Sequence, residues 1–345
     1  MTKTAAPSRE IATLADINRL GTAFCRAKTV LSAIELGVFT ELGKGAATGT
    51  ELCARLGLHP RAMPDFLTTL VTLGLLQAED GRYANAPVSA RYLDRSSPSY
   101  GGGFLERADQ MMYPAWEHLT GLLRTGEPQV PGREDQAAAF ERMMADPVHL
   151  DRFLRMMDAV SGPLGPELAA KFDWAEHTTV VDIGGARGNL LSQILGAHDH
   201  LSGYVFDLQG IESAFVAHME ALGLKDRARF VGGDFFKDAL PQGDVLIIGH
   251  VLHDWAPGER ARLIKKAFSA VRPGGALLIY DQLTGQGHDD PWNEIISLNM
   301  QLLSPGGSEY TLAECRDWLR DAGFQTVTSF SLGEHDTCVV ALKDR

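Results

Sequence analysis

No apolar run in this sequence approaches a membrane span. The longest, such as Val245–Ile248, fall far short of the roughly 20 residues that a bilayer core requires. Cysteine is scarce, and the four present (Cys25, Cys53, Cys315, Cys338) form no CxxC pair. Thiols scattered in this way fit a reducing compartment and argue against a disulfide frame or a zinc ribbon. Residues 1–16 carry Arg9, Glu10 and Asp16 with no continuous apolar segment, so no secretory leader is expected and a cytoplasmic location is. Positive charge is also short: 32 Lys and Arg face 44 Asp and Glu, a formal net charge of −12. Nucleic-acid binding is disfavoured, because phosphate neutralisation needs at least a local basic surplus. What is present is ordinary globular material, 45% hydrophobic and 22% charged over 345 residues. That length is about twice the usual domain, so two domains are the starting expectation.

The pattern changes near residue 100. Before it, Ala23–Leu42 carries apolar residues at helical spacing, Thr48–Leu56 opens with candidate N-caps Thr48 and Thr50, and His59-Pro60 introduces Arg61–Leu75. A short ribbon, Leu76–Tyr83, turns at Glu79-Asp80-Gly81. Helix, glycine turn, helix and ribbon is the plan of a winged helix. Its second helix offers Arg61 as its only cation, facing Asp65, so packing or dimerisation is the better reading than DNA binding. After Tyr100-Gly101-Gly102-Gly103 comes a mostly helical stretch with six of the ten methionines, among them Met111, Met112, Met156 and Met157, beside Phe104, Tyr113 and Trp116. Methionine fills irregular core gaps, and it also lines apolar substrate walls.

From about Lys171 short β-branched runs alternate with helical ones: Thr178–Ile183, Tyr204–Leu208, Arg229–Val231, Asp244–Ile248 and Ala276–Tyr280. This is the pattern of a doubly wound α/β sheet, and Gln325–Leu332 with Asp336–Leu342 reads as an antiparallel hairpin closing it. In such a sheet the ligand sits beyond the carboxyl ends of the strands. There the first strand enters Gly184-Gly185-Ala186-Arg187-Gly188, which fits neither the GxGxxG nor the P-loop spacing and so disfavours a dinucleotide. Asp207 ends the second strand, 19 residues after Gly188, where a carboxylate accepts ribose hydroxyls. Asp234 follows the third strand in Gly232-Gly233-Asp234-Phe235-Phe236, where an acid beside an aromatic suits an adenine. Each acid alone reads more readily as a turn aspartate capping a helix. The three stations together point to an adenosine without a phosphate.

Val180–Gly188 (VVDIGGARG), Gly232–Phe236 (GGDFF), Leu252–Trp255 (LHDW), Arg272–Gly275 (RPGG) and Gly306–Thr311 (GGSEYT) follow one another in order. Over about residues 15–342 the chain resembles the S-adenosylmethionine-dependent small-molecule O-methyltransferases of the caffeate and acetylserotonin type, including bacterial natural-product tailoring enzymes. The resemblance implies a winged-helix-like dimerisation domain at 1–100, a helical connector at 101–170 contributing to the substrate pocket, and a Rossmann-like cofactor-binding catalytic domain at 171–345. It implies S-adenosylmethionine as cofactor, held by Gly184, Asp207, Asp234, Phe235, Gly249 and His250. It implies a homodimer formed through the apolar N-terminal helix, read as Ile17–Val38. Gly249 replaces a common Lys or Ser and leaves only backbone to offer. Ala186 replaces the usual middle glycine, and its methyl fits if φ there is negative.

Methyl transfer to oxygen leaves a neutral thioether, so no metal is expected. It does need a base, because a phenol with a pKa of about 10 is mostly protonated at neutral pH. His253 is the candidate, although a lone histidine before a helix is often structural. By resemblance its flanking acids are Asp281 and Glu309; the family more often has Glu at the first, one methylene longer, which favours Glu309 as the nearer partner. Asp254 either touches substrate or caps the following helix, and Trp255 either packs or meets the cofactor. The acceptor, a small aromatic molecule, is expected against Met112, Trp116, Met156, Met157, Asn299 and Met300. A weaker alternative places iron on His250, His253 and the His288-Asp289-Asp290 stretch. Transfer to carbon or nitrogen, a non-methylating relative of the same fold, and a nucleoside-sensing regulator are the other readings.

Overall fold

A computed structural model describes residues 11–130, 136–285, 287 and 291–345. The chain divides after Pro114 into two compact units. Residues 101–114 thus group with the N-terminal unit, and 115–170 with the sheet.

In the N-terminal unit the run read as one helix is two, Ala23–Glu35 and Val38–Gly43. The break is Gly37, at φ 74°, a left-handed backbone that glycine adopts without steric cost. The Gly49–Leu56 helix is capped by Thr48, whose hydroxyl accepts from Glu51 N–H while the Glu51 carboxylate accepts from Thr48 N–H. A 3-10 turn, Pro60–Ala62, leads into the Met63–Thr72 helix. Strands β1 (Leu76–Glu79) and β2 (Arg82–Asn85) form the antiparallel wing. Ile34, Val38, Phe39, Leu52, Leu67 and Leu70 make the unit's core. By contrast the Leu14–Gly21 helix buries nothing, and Ile11, Leu14, Ile17, Leu20 and Phe24 stand exposed.

The second unit is built on a seven-stranded sheet of order β5-β4-β3-β6-β7-β9-β8. Its strands are β3 (Thr179–Ile183), β4 (Ser202–Asp207), β5 (Ala228–Gly232), β6 (Gly243–Gly249), β7 (Val271–Asp281), β8 (Thr326–Leu332) and β9 (Asp336–Leu342). The first five are parallel, and β9 joins β7 and β8 antiparallel, which is the closing hairpin. Side chains alternate between two cores. Val181, Ile183, Leu246, Ile248, Leu277 and Ile279 pack with Leu263 and Leu319 on one face. Val180, Val245, Ile247 and Leu278 pack with Leu190, Leu191 and Ile194 on the other. Each such aliphatic side chain contributes about 1.5–3 kcal/mol by leaving water. Because both faces are covered, only the strand ends remain for a ligand. Among the described residues no helix is long and apolar enough to cross a membrane.

Candidate active site

The carboxyl ends of β3 to β6 lie side by side, and the acids follow from that. After β3 the chain turns through residues 184–188 into the Asn189–Ala197 helix. Gly184 sits at φ 73°, and a Cβ there would lie 2.6 Å from the Val251 Cγ2 methyl. Ala186 does not meet the condition set for its methyl: its φ is +49°, not negative. This left-handed alanine costs about 1–2 kcal/mol. It is held by Asp207, whose Oδ2 accepts Ala186 N–H at 2.8 Å while Oδ1 accepts Leu208 N–H at 2.7 Å. Burial pushes the Asp207 carboxyl up to about 6, against the pull of those two N–H groups.

One acid escaped the sequence reading. Asp182, inside β3, is 3% exposed, and no described donor reaches its carboxylate. Burial, then the nearby Asp207 charge, pushes it up to about 7. The signal was present as one aspartate in an otherwise apolar strand. A buried carboxylate without a donor calls for a cationic or donor ligand at this edge.

Asp234 is engaged within its own turn. Its Oδ1 accepts Phe236 N–H at 2.8 Å and its Oδ2 pairs with Lys237 at 3.0 Å. Burial raises its pKa, yet Lys237 and the turn N–H groups hold the net value below the usual carboxylate range. Phe235 and Phe236 both meet Trp255 edge-on, at 5.7 and 4.6 Å between centroids, so Trp255 packs there. At Gly249 a Cβ would come within 1.9 Å of the Tyr280 ring, which accounts for glycine at the end of β6.

The 3-10 turn Leu252–Asp254 follows β6 and presents His253. Its Nδ1 is 2.7 Å from Glu309 Oε1 and 3.4 Å from Asp281 Oδ1. Both acids therefore reach the ring, Glu309 with the hydrogen bond, and Asp281 despite its shorter arm. Tyr310 Oη donates to Asp281 Oδ2 at 2.6 Å. Buried Arg260 donates to Trp255 O and Ser308 O, both at 2.7 Å, joining the histidine's turn to the glutamate's segment. Burial lowers the His253 pKa, but the Glu309 and Asp281 charges more than reverse this and lift it to about 10. Burial also lifts Asp281, to about 7. With Nδ1 taken by Glu309, the imidazole lone pair that takes up a proton is on Nε2. His250, at φ 52°, is buried; its Nε2 lies 3.1 Å from Asp336 and its Nδ1 4.0 Å from Asp281. His250, His253 and Asp281 bring ligand-type atoms within 4.8 Å of one another. The His288-Asp289-Asp290 stretch of the iron alternative lies outside the described residues.

The remaining candidates lie on several elements. Trp116 Nε1 donates to Asn299 Oδ1 at 3.2 Å, fixing an amide that is 6% exposed on the Trp292–Leu303 helix, which also carries Met300. Met156 and Met157 lie on the Pro147–Ser161 helix, Met157 packing with Leu154, Ala186 and Ile211. Asp254 is not the cap of the Pro257–Ala270 helix: that helix starts from Ala256, whose N–H donates to Glu259 at 3.2 Å. Met112 belongs to the N-terminal unit.

A largely parallel sheet with acids at successive strand ends, and a histidine facing two carboxylates after β6, fits a nucleoside-cofactor transferase. Comparison with known proteins narrows the class. Residues 116–325 match the O-methyltransferase domain family and residues 19–95 the O-methyltransferase dimerisation domain. The tetracenomycin polyketide synthesis 8-O-methyltransferase of Streptomyces glaucescens is 45% identical, over 96% of this chain and 97% of that protein. An N,N-dimethyltransferase of Streptomyces rimosus is 35% identical, over 93% and 94%. Human N-acetylserotonin methyltransferase, solved with S-adenosylmethionine, superposes with a TM-score of 0.87 at 26% identity, covering 99% of this chain and 100% of that one. The chain belongs to the S-adenosylmethionine-dependent O-methyltransferase family. It is an enzyme of that kind, and its dimerisation domain makes it a homodimer.

Proposed function

We propose that the chain methylates a hydroxyl of a small aromatic, phenolic or polyketide-like acceptor in the cytoplasm, with His253 as general base and no metal. The observation that carries this reading is the 2.7 Å contact of His253 Nδ1 with Glu309 at the sheet's ligand edge. Bound S-adenosylmethionine supplies an electrophilic methyl group and leaves as a neutral thioether, so no leaving-group charge needs a metal. Asp182 fits its ammonium group, being a buried carboxylate with no donor among the described residues. The glycine loop leaves room beside Asp182, because a Cβ at Gly185 would lie 2.6 Å from its carboxyl carbon. Gly184, Asp207, Asp234, Phe235 and the Gly249-His250 backbone complete the cofactor contacts. The His250 imidazole is turned to Asp336 and Asp281 instead.

In its neutral form, which predominates only above about pH 10, His253 takes the acceptor's proton on Nε2, and Glu309 stabilises the imidazolium that forms. Asp281, steadied by Tyr310, adds to that stabilisation. Trp116 and Asn299 offer one polar handle, Met156, Met157 and Met300 an apolar wall, with Asp254 as a further acceptor contact. The exposed apolar row Ile11, Leu14, Ile17, Leu20 and Phe24 gives the homodimer its N-terminal seam.

The test is transfer of labelled methyl to a panel of phenols, catechols and hydroxyquinones by wild type and His253→Ala, with and without a chelator. Label on oxygen, falling at least about a hundredfold in the variant and indifferent to chelation, supports the reading. Undiminished transfer by the variant removes His253 as base. The dimethyltransferase relative favours one second reading, an amine acceptor, which label on nitrogen identifies.

A further inference from the structure

The loop at residues 184–188 is conformationally demanding. Gly184, Ala186 and Gly188 all have positive φ, at 73°, 49° and 81°. A loop of this kind needs support from outside itself. Asp207 supplies it from the sheet side. From the other side it meets the Pro147–Ser161 helix, where Leu154 packs with Ala186 and Ile211 in one buried cluster, joined by Leu150, Phe153 and Met157.

Polar contacts reinforce that packing at one point. The Asp158 carboxylate accepts a hydrogen bond from Arg187 Nη2, in the loop itself. Just past the loop, Asn189 Nδ2 reaches Asp158 O and Ser161 Oγ, each at 3.4 Å. The pair is largely shielded, with side chains 20% and 31% exposed, so it is less screened than a surface ion pair. Arg187 Nε is buried and has no acceptor, which leaves Asp158 as the guanidinium's ion partner among the described residues. His218, also nearby, is shifted towards its neutral form by burial and by Arg187, against the opposing pull of Asp158. The same helix carries Met156 and Met157 in the two positions before Asp158.

We propose that Asp158 is a positioning residue: its ion pair with Arg187 fastens the Met156–Met157 helix to the glycine loop, so that filling the cofactor site also sets the acceptor wall. The inference rests on the functional reading for what that wall does. It adds the device by which the two ligand sites sense each other. Coupling of this kind is reciprocal, and typical magnitudes begin at about fivefold.

The test is amide hydrogen exchange over residues 147–161, with and without saturating S-adenosylhomocysteine as the probe, in wild type, Asp158→Asn, Arg187→Met, the double variant and Arg187→Lys. In wild type the probe slows exchange in this helix at least about fivefold. In either single variant and in the double one the probe still binds by calorimetry, and the slowing disappears to the same extent. Arg187→Lys, which keeps the charge, restores part of it. A merely structural role would speed exchange equally with and without the probe, and that result overturns the proposal. So does a wild-type helix indifferent to the bound probe, or an Asp158→Asn helix that responds like wild type. Failure of the probe to bind wild type overturns the cofactor reading instead, and this inference with it.

Discussion

Replacing Glu309 by Gln should move the enzyme's pH profile towards acid. His253 starts from an ordinary value of about 6.5. Burial alone would take it lower, yet the two carboxylates hold it at about 10. An opposite charge within about 4–6 Å shifts a pKa by about 1–3 pH units. Glu309 is the nearer carboxylate, at 2.7 Å against 3.4 Å for Asp281. The glutamine keeps an oxygen to accept the Nδ1 proton, so ring orientation survives while the negative charge goes. A less stabilised imidazolium loses its proton at lower pH. The neutral base then becomes available earlier, and the rising limb of kcat/KM, which reports the free enzyme, moves down by about 1–3 pH units. The plateau falls as well, because a weaker base removes the acceptor's proton less readily. The assay is initial-rate methyl transfer from about pH 6 to about pH 10.5, which spans the ordinary histidine value and the raised one. A limb that stays in place, or moves to higher pH, would refute the argument that Glu309 sets the proton affinity of His253.

Asp182→Asn should stabilise the ligand-free protein, since the buried carboxylate's pKa is raised from 3.8 to about 7. The gain is absent below pH 3.8, grows through the interval up to about 7 and is constant above it, as thermal melts at several pH values would show; calorimetry should find weaker S-adenosylhomocysteine binding. Ala186→Gly should leave stability within about 0.8 kcal/mol of wild type, because the left-handed strain relieved is offset by the extra entropy of unfolded glycine and by the loss of a methyl buried with Leu154 and Ile211. A loss of about 1.3 kcal/mol or more in denaturant titration, the cost with no strain to relieve, would contradict the positive φ. Trp116→Phe removes the donor that fixes Asn299, so the acceptor KM should rise severalfold while the S-adenosylmethionine KM holds; a change in both would place Trp116 outside the acceptor side.

The sheet was legible because each parallel strand is a short β-branched run followed by a turn, a pattern that burial on both faces imposes. Boundaries slipped where backbone geometry, not hydrophobicity, decides. Gly37 divides a continuous apolar pattern into two helices. Arg272–Gly275 lies within β7, which pairs with β6 across a register shift between Gly243 and Val245. Asp207 was legible from its place at a strand end, though not its bond to Ala186 N–H, which depends on that alanine's positive φ.

Asp182 shows most directly what a linear pattern conceals. In sequence it is one residue of VVDI, and alternation assigns it only to a face of the sheet. In the structure it is a buried carboxylate with no donor among the described residues, beside a loop glycine, Gly185, whose missing Cβ leaves the space next to it open. Asp281 and Glu309 are read in the same terms: two acids distant in sequence share one imidazole nitrogen, and each is explained by the charge it faces. A lone buried charge is destabilising unless a ligand completes it. On the proposed reading Asp182 is completed by the bound cofactor, whereas His253 Nδ1 and Glu309 already meet at 2.7 Å without a ligand. That difference separates their mutants: removing the Asp182 charge should firm the empty protein and weaken binding, while removing the Glu309 charge should leave binding and alter proton transfer.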